Sequence, residues 1–84
     1  MSRVVLYSKE YCSFCKRAKA LLQSKNIAFE EVDVTSDAVL QKEIQRLSGR
    51  RTVPQIFIDG NSVGGFEELR ELDAAGELDR LSRN

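Results

Sequence analysis

Two cysteines, Cys12 and Cys15, stand two residues apart in the stretch YCSFCKRAKALL, and the chain has no others. The residues after Phe14 read as a helix. Helical positions i and i+3 share a side, with Cβ atoms about 5–6 Å apart. A disulfide needs Cα atoms roughly 4.4–6.8 Å apart. The two sulfurs can therefore make and break a bond with little backbone movement. They are not equivalent. Cys12 sits at the helix start, where unpaired N–H groups and the positive end of the dipole favour a thiolate. Cys15 lies one turn deeper on the apolar face and is expected to keep its proton. Lys9, Lys16 and Arg17 add positive charge nearby. The pattern suits thiol–disulfide exchange, with one exposed nucleophile and one partner that displaces it.

Other uses of the pair fit less well. A structural disulfide closing so small a loop removes little unfolded-chain entropy. A zinc site needs further ligands, and the chain has no His and no third Cys. Zinc would need two subunits, so no metal is expected in a monomer. Two core cysteines by chance is the remaining plain reading. The composition sets the frame for these choices. Eighty-four residues make one domain, residues 1–84. With 42% hydrophobic and 31% charged residues, the chain reads as an ordinary soluble globular protein. Thirteen basic residues balance thirteen acidic ones, so neither nucleic acid nor a membrane surface is implied as a partner. No apolar run reaches the roughly 18 residues of a membrane-spanning helix. The start, RVVLYS from Arg3, lacks the marks of a signal peptide. Two cysteines are too few for a secreted disulfide scaffold, so a reducing cytoplasm is the expected compartment.

The elements that must position the pair follow from periodicity. RVVLYS, Arg3–Ser8, is a short buried strand. From Ser13 to about Lys25, Cys15, Ala18, Leu21 and Leu22 form one apolar helical stripe, and Asn26 can close it. Alternation over Ala28–Val34 gives a second strand. Thr35 or Ser36 can cap a second helix in which Leu40, Ile44 and Leu47 share a face and Gly49 is the stop. QIFID, Gln55–Asp59, is a third strand. The turn at Asp59-Gly60-Asn61 leads to a fourth at Ser62-Val63. Phe66–Ala74 is a third helix with Phe66, Leu69 and Leu72 inward, and Leu78 and Leu81 can pack a last short turn. The order is β-α-β-α-β-β-α. The fold class is α/β: one mixed four-stranded sheet flanked by helices on both faces, its first two strands parallel and its last two antiparallel.

Two further stretches have unusual grammar. In RTVPQIFIDG, a proline directly precedes a buried strand although it donates no ladder hydrogen bond. A cis Val53–Pro54 bond would turn the chain sharply and offer the Val53 backbone to a ligand. A trans proline at an edge is the plainer alternative. In GGFEE, Gly64–Glu68, glycines before a helix let backbone N–H groups approach an anion. A simple hairpin exit is the alternative there.

Taken together, these residues resemble a glutaredoxin of the thioredoxin fold. The C-x-x-C after the first strand carries the likeness, with TVP about forty residues later, the GG pair about ten beyond, and L-x-x-L-D-x-x-G over Leu69–Gly76. Among relatives the chain looks most like the short bacterial dithiol kind of the third type. The resemblance implies a glutathione-disulfide oxidoreductase that reduces protein disulfides and glutathione mixed disulfides, with Cys12 the nucleophile and Cys15 the resolving thiol. It implies a cis Pro54 and a glutathione groove. There Lys9, helped by Arg51 or Gln41, would meet a carboxylate. The Val53 backbone would hold the cysteinyl part, Thr52 would also belong to the groove, Phe14 would stand where tyrosine is usual, and Gly65, Phe66 and Glu67 would hold the γ-glutamyl end. The family's usual C-P-Y-C is C-S-F-C here. Members with serine at that position include some that bind a [2Fe–2S] cluster between two subunits, through the first cysteine and a glutathione from each. That is one alternative, with Cys12 as ligand. A thioredoxin-reductase-fed electron donor to ribonucleotide reductase is another. Otherwise a monomer is expected.

Overall fold

A computed structural model describes residues 3–81. The expected domain limits at residues 1 and 84 lie outside the described residues. The elements run β1 (Val4–Ser8), α1 (Ser13–Ser24), β2 (Glu30–Asp33), α2 (Ala38–Ser48), β3 (Gln55–Ile58), β4 (Asn61–Gly64) and α3 (Phe66–Ala74), then a 3-10 turn at Asp79–Leu81. The four strands make one sheet in the order β2-β1-β3-β4. β1 pairs parallel with β2, Leu6 opposite Glu31, and antiparallel with β3, Leu6 opposite Ile56. β3 and β4 are antiparallel.

The strand sequences explain the order. β3 is buried at all four positions and β1 at alternate ones, so these take the centre. β2 and β4 are mostly exposed and take the edges. Side chains alternate across a strand, so β1 and β3 each feed two layers. Val4, Leu6, Ile56 and Ile58 pack with Ala18 and Leu22 of α1 and Leu69 of α3. On the other face, Phe57 packs with Val34 and with Ile44 of α2. Tyr7 meets Phe57 edge-on there, with ring centroids 5.5 Å apart. Full burial of Leu6, Leu22, Ile56 and Leu69 is worth roughly 1.5–3 kcal/mol for each side chain.

Several expectations shift at their edges. β2 is shorter than Ala28–Val34, and Phe29 instead packs partly against the α1–α3 core. The cap of α2 is Asp37, not Thr35 or Ser36: its carboxylate accepts the Leu40 N–H at 2.9 Å. Thr35 has another task, its hydroxyl accepting the Glu10 N–H at 2.8 Å. Leu47 was expected inward with Leu40 and Ile44 but is exposed. Leu47 instead lines an open cavity with Val5, Tyr7 and Phe57, which leaves it in contact with solvent. The stops at Asn26 and Gly49 hold, both with positive φ. Asp59 and Gly60, at φ 52 and 83, match the two positive values a tight hairpin of this hand requires. Leu78 is buried and Leu81 packs on the core, as the final turn required.

Candidate active site

Cys12 is itself the N-cap of α1. Its backbone is extended, at φ −104 and ψ 107, and its Sγ accepts the Cys15 N–H at 3.2 Å. A sulfur in that place meets an N–H that the helix leaves unpaired and the positive end of the dipole. Cys15, one turn on, points into the molecule and is 2% exposed. Burial, and then hydrogen bonding with Cys12, push its thiol up from 9.0 to about 12, while the Lys9 backbone N–H acts the other way. Both cysteines are thiols in this structure. The inequality between them thus comes from one helical turn, which separates a half-buried cap from a core position.

The loop before β3 faces this helix end. The Val53–Pro54 peptide is cis, and the Cys12 thiol points at the Val53 carbonyl at 3.8 Å. Val53 also opens a cleft of about 190 Å³, lined by Phe14, Arg50, Thr52, Val53, Pro54, Gly65, Phe66, Glu67 and Glu68. The cleft therefore begins beside the Cys12 sulfur and ends at the start of α3. Phe14 and Phe66 meet across it with ring centroids 6.1 Å apart, and the Arg17 guanidinium lies 5.2 Å from the Phe14 centroid.

Two glycines shape the far end. Gly64 has φ 108, and a Cβ there would stand 2.6 Å from Glu68 Cγ. A Cβ on Gly65 would meet Arg50 Nη2 at 3.2 Å and the Pro54 carbonyl at 3.3 Å. Gly64 is thus closed to larger residues, and a Cβ at Gly65 would require its neighbours to give by a few tenths of an ångström. The Gly65 N–H was expected to approach an anion, and in this structure the anion is the chain's own Glu68 carboxylate, at 2.8 Å. That bond, first among the causes, holds the Glu68 carboxyl below its ordinary value, with Arg50 adding to the effect.

Of the residues expected at a ligand groove, Phe14, Thr52, Val53, Pro54, Gly65, Phe66 and Glu67 all line the cleft. Lys9, Gln41 and Arg51 do not. Gln41 spends its amide on the Val34 carbonyl at 2.5 Å, bracing the loop before α2. Glu67 lines the cleft, but its carboxylate is bound to Arg70 at 2.7 Å. Arg50 and Glu68 were not expected. Glu68 had a faint signal, since Gly65-x-x-Glu68 has capping-box spacing. Arg50 had none, because nothing in Arg50-Arg51 says which of the two turns toward the cleft.

Comparison with known proteins agrees with this geometry. The glutaredoxin family model matches residues 4–63. Glutaredoxin 3 of Escherichia coli is 49% identical over 81 residues, covering 96% of this chain and 98% of that protein. A glutaredoxin solved from Brucella melitensis is 44% identical with a TM-score of 0.83, covering 94% of this chain and 86% of that one. A buckwheat glutaredoxin–glutathione complex is 28% identical with a TM-score of 0.87, covering 95% and 76%. A chain whose sequence and fold both agree with these proteins belongs to the glutaredoxin family, the glutathione-dependent thiol–disulfide oxidoreductases.

Proposed function

We propose that Cys12 is the nucleophile, Cys15 the resolving thiol, and the cleft beside them the glutathione site. The Cys12 thiolate attacks the glutathionyl sulfur of a mixed disulfide. A Cys12–glutathione bond forms, the substrate's S–S bond breaks, and the substrate leaves as a thiolate that takes up a proton. A second glutathione thiolate then attacks the glutathionyl sulfur, releasing glutathione disulfide and restoring Cys12. With a protein disulfide, Cys15 attacks the Cys12 sulfur of the mixed intermediate. The protein leaves reduced, and two glutathiones reopen the Cys12–Cys15 bond. Arriving thiols line up along the cleft, with the cysteinyl backbone beside Thr52 and Val53 and the γ-glutamyl end at Gly65, Phe66 and Glu67. Glu68 takes the ammonium, because Arg70 already occupies Glu67. Lys9 and Arg51, outside the cleft walls, meet the glycyl carboxylate by moving their long side chains. Gln41 would have to release Val34 to join them.

The observation that carries this is the cleft's course, from the Val53 carbonyl, 3.8 Å from Cys12 Sγ, to the first turn of α3. Cys12→Ser should abolish turnover of a glutathione mixed disulfide, by at least a thousandfold. Cys15→Ser should retain a large fraction of it and lose protein-disulfide reduction. Full activity in the Cys12 variant would refute the scheme.

The molecule works as one domain over residues 1–84, as a monomer, on disulfide or glutathionylated proteins of the cytoplasm such as ribonucleotide reductase. Among the described residues no helix is long and apolar enough to cross a membrane. Thioredoxin reductase is an alternative electron source, and a coupled NADPH assay against glutathione with glutathione reductase separates the two. A second reading is a [2Fe–2S] cluster. Ser13 in place of proline and the half-buried Cys12 sulfur favour it. Among the described residues no three His, Cys, Asp or Glu side chains gather as ligands. One chain therefore offers the cluster Cys12 alone, and two chains with two glutathiones would be needed. Anaerobic reconstitution giving a brown dimer on sizing supports this reading, and a colourless monomer removes it.

A further inference from the structure

Arg50 lines the cleft, and the scheme above gives it no task. Its backbone is pinned. The N–H donates to Ser48 Oγ at 3.0 Å, and the carbonyl accepts from Gln55 Nε2 at 2.9 Å. Gln55 is buried in the central strand β3, so the base of the Arg50 side chain is fixed to the core. The guanidinium reaches Glu68, but loosely: Nη2 stands 3.4 Å from Oε1, against 2.7 Å for Arg70 with Glu67 and 2.6 Å for Arg46 with Glu43. Arg50 Nε is buried and has no hydrogen-bond partner among the described residues. A buried donor left unmade is a standing cost, which an acceptor arriving in the cleft would remove. The guanidinium also lies against Gly65, the N-cap of α3. A cation at the positive end of a helix is unfavourable unless an anion stands beside it. Glu68 supplies part of that anion, with one oxygen already taken by the Gly65 N–H.

We propose that Arg50 is a specificity-determining residue that binds the α-carboxylate at the γ-glutamyl end of the ligand. This rests on the glutathione reading of the cleft. The Nε and Nη2 edge of a guanidinium is a two-pronged donor matched to a carboxylate. A carboxylate there satisfies the buried Nε and places negative charge between Arg50 and the start of α3. Glu68 stays beside it for the ligand's ammonium. Arg50 thus distinguishes a free α-amino-acid end from an amide or a truncated peptide.

The test compares three mixed disulfides of one small thiol: with glutathione, with its γ-glutamyl α-carboxamide analogue, and with cysteinylglycine. The kcat/KM ratio of carboxylate to carboxamide is the readout, because a merely structural role for Arg50 would lower both members together. The wild-type protein should prefer the carboxylate about ten- to a hundredfold, the range of a hydrogen bond to a charged group. Arg50→Met should bring the ratio close to one, and Arg50→Lys should fall between. A folded Arg50→Met variant that keeps the wild-type ratio overturns the proposal. If that variant does not fold, Arg50→Gln decides by the same ratio. A wild-type protein that requires the γ-glutamyl residue but ignores the carboxamide overturns the role of Arg50 alone. One that turns over the cysteinylglycine disulfide as well as the glutathione disulfide overturns the glutathione reading of the cleft itself.

Discussion

At the scale of the residue, a single cysteine side chain is given two jobs: Cys12 caps a helix and, in the proposed scheme, attacks disulfides. Its sulfur takes the N–H of Cys15, so the same bond ties the helix start to the reactive atom. Cys15 owes its inertness to burial, and that has a consequence for stability. An unfolded cysteine releases its proton near 9.0, whereas folded Cys15 holds it to about 12. Between these values the folded state binds more protons than the unfolded one, so raising the pH works against folding. The stability linked to Cys15 is intact below pH 9 and is lost as pH climbs toward 12. Denaturant melts of the parent and of Cys15→Ala across that window should show a shallower alkaline decline in the variant. Equal slopes would place the alkaline sensitivity elsewhere.

At the scale of the element, the glycine pair and the caps decide how well the cleft is formed. Gly64→Ala meets two obstacles, a positive φ of 108 and a contact of 2.6 Å with Glu68 Cγ. It should destabilise the fold by about 2 kcal/mol or more, a drop of very roughly 8–16 °C in Tm for a chain of this size. It should also raise KM for glutathione. A melt within a degree or two of the parent would contradict the close packing. Asp37→Ala removes the cap of α2 and should cost about 1 kcal/mol with no change in KM, since Asp37 is not a cleft residue. Both residues show why element boundaries were only partly legible. Asp37, Ser36 and Thr35 are all good caps in sequence, and only the tertiary position of Thr35 against Glu10 leaves the cap to Asp37. Leu47 fitted the helical period but is left exposed at an open cavity beside Val5, Tyr7 and Phe57, which periodicity cannot foresee.

At the scale of the whole molecule, the mixed four-stranded sheet and its two layers were legible because each rests on strong local patterns, whereas the pairing of β1 with β3 at its centre was not foreseen. QIFI is apolar enough for a central strand, and the Asp59-Gly60 turn fixes the antiparallel neighbour. The cysteine pair was legible for the same reason, since both sulfurs sit within one helical turn. The cleft wall was harder to foresee. It joins the start of α1, the loop before β3 and the start of α3, three places far apart in sequence. Arg50 and Glu68 meet only through that assembly, while Gln41 is drawn away by a nearby carbonyl. What the assembly achieves is an unequal pair of sulfurs, one at a cleft mouth and one in the core. Alkylation tests this most directly. The reduced protein is treated with limiting iodoacetamide near neutral pH, and the modified sulfur is located by peptide mass spectrometry. Cys12 should be modified rapidly while Cys15 stays free until the protein is unfolded. Modification of Cys15 at an equal or greater rate in the folded protein would contradict the division of labour proposed here.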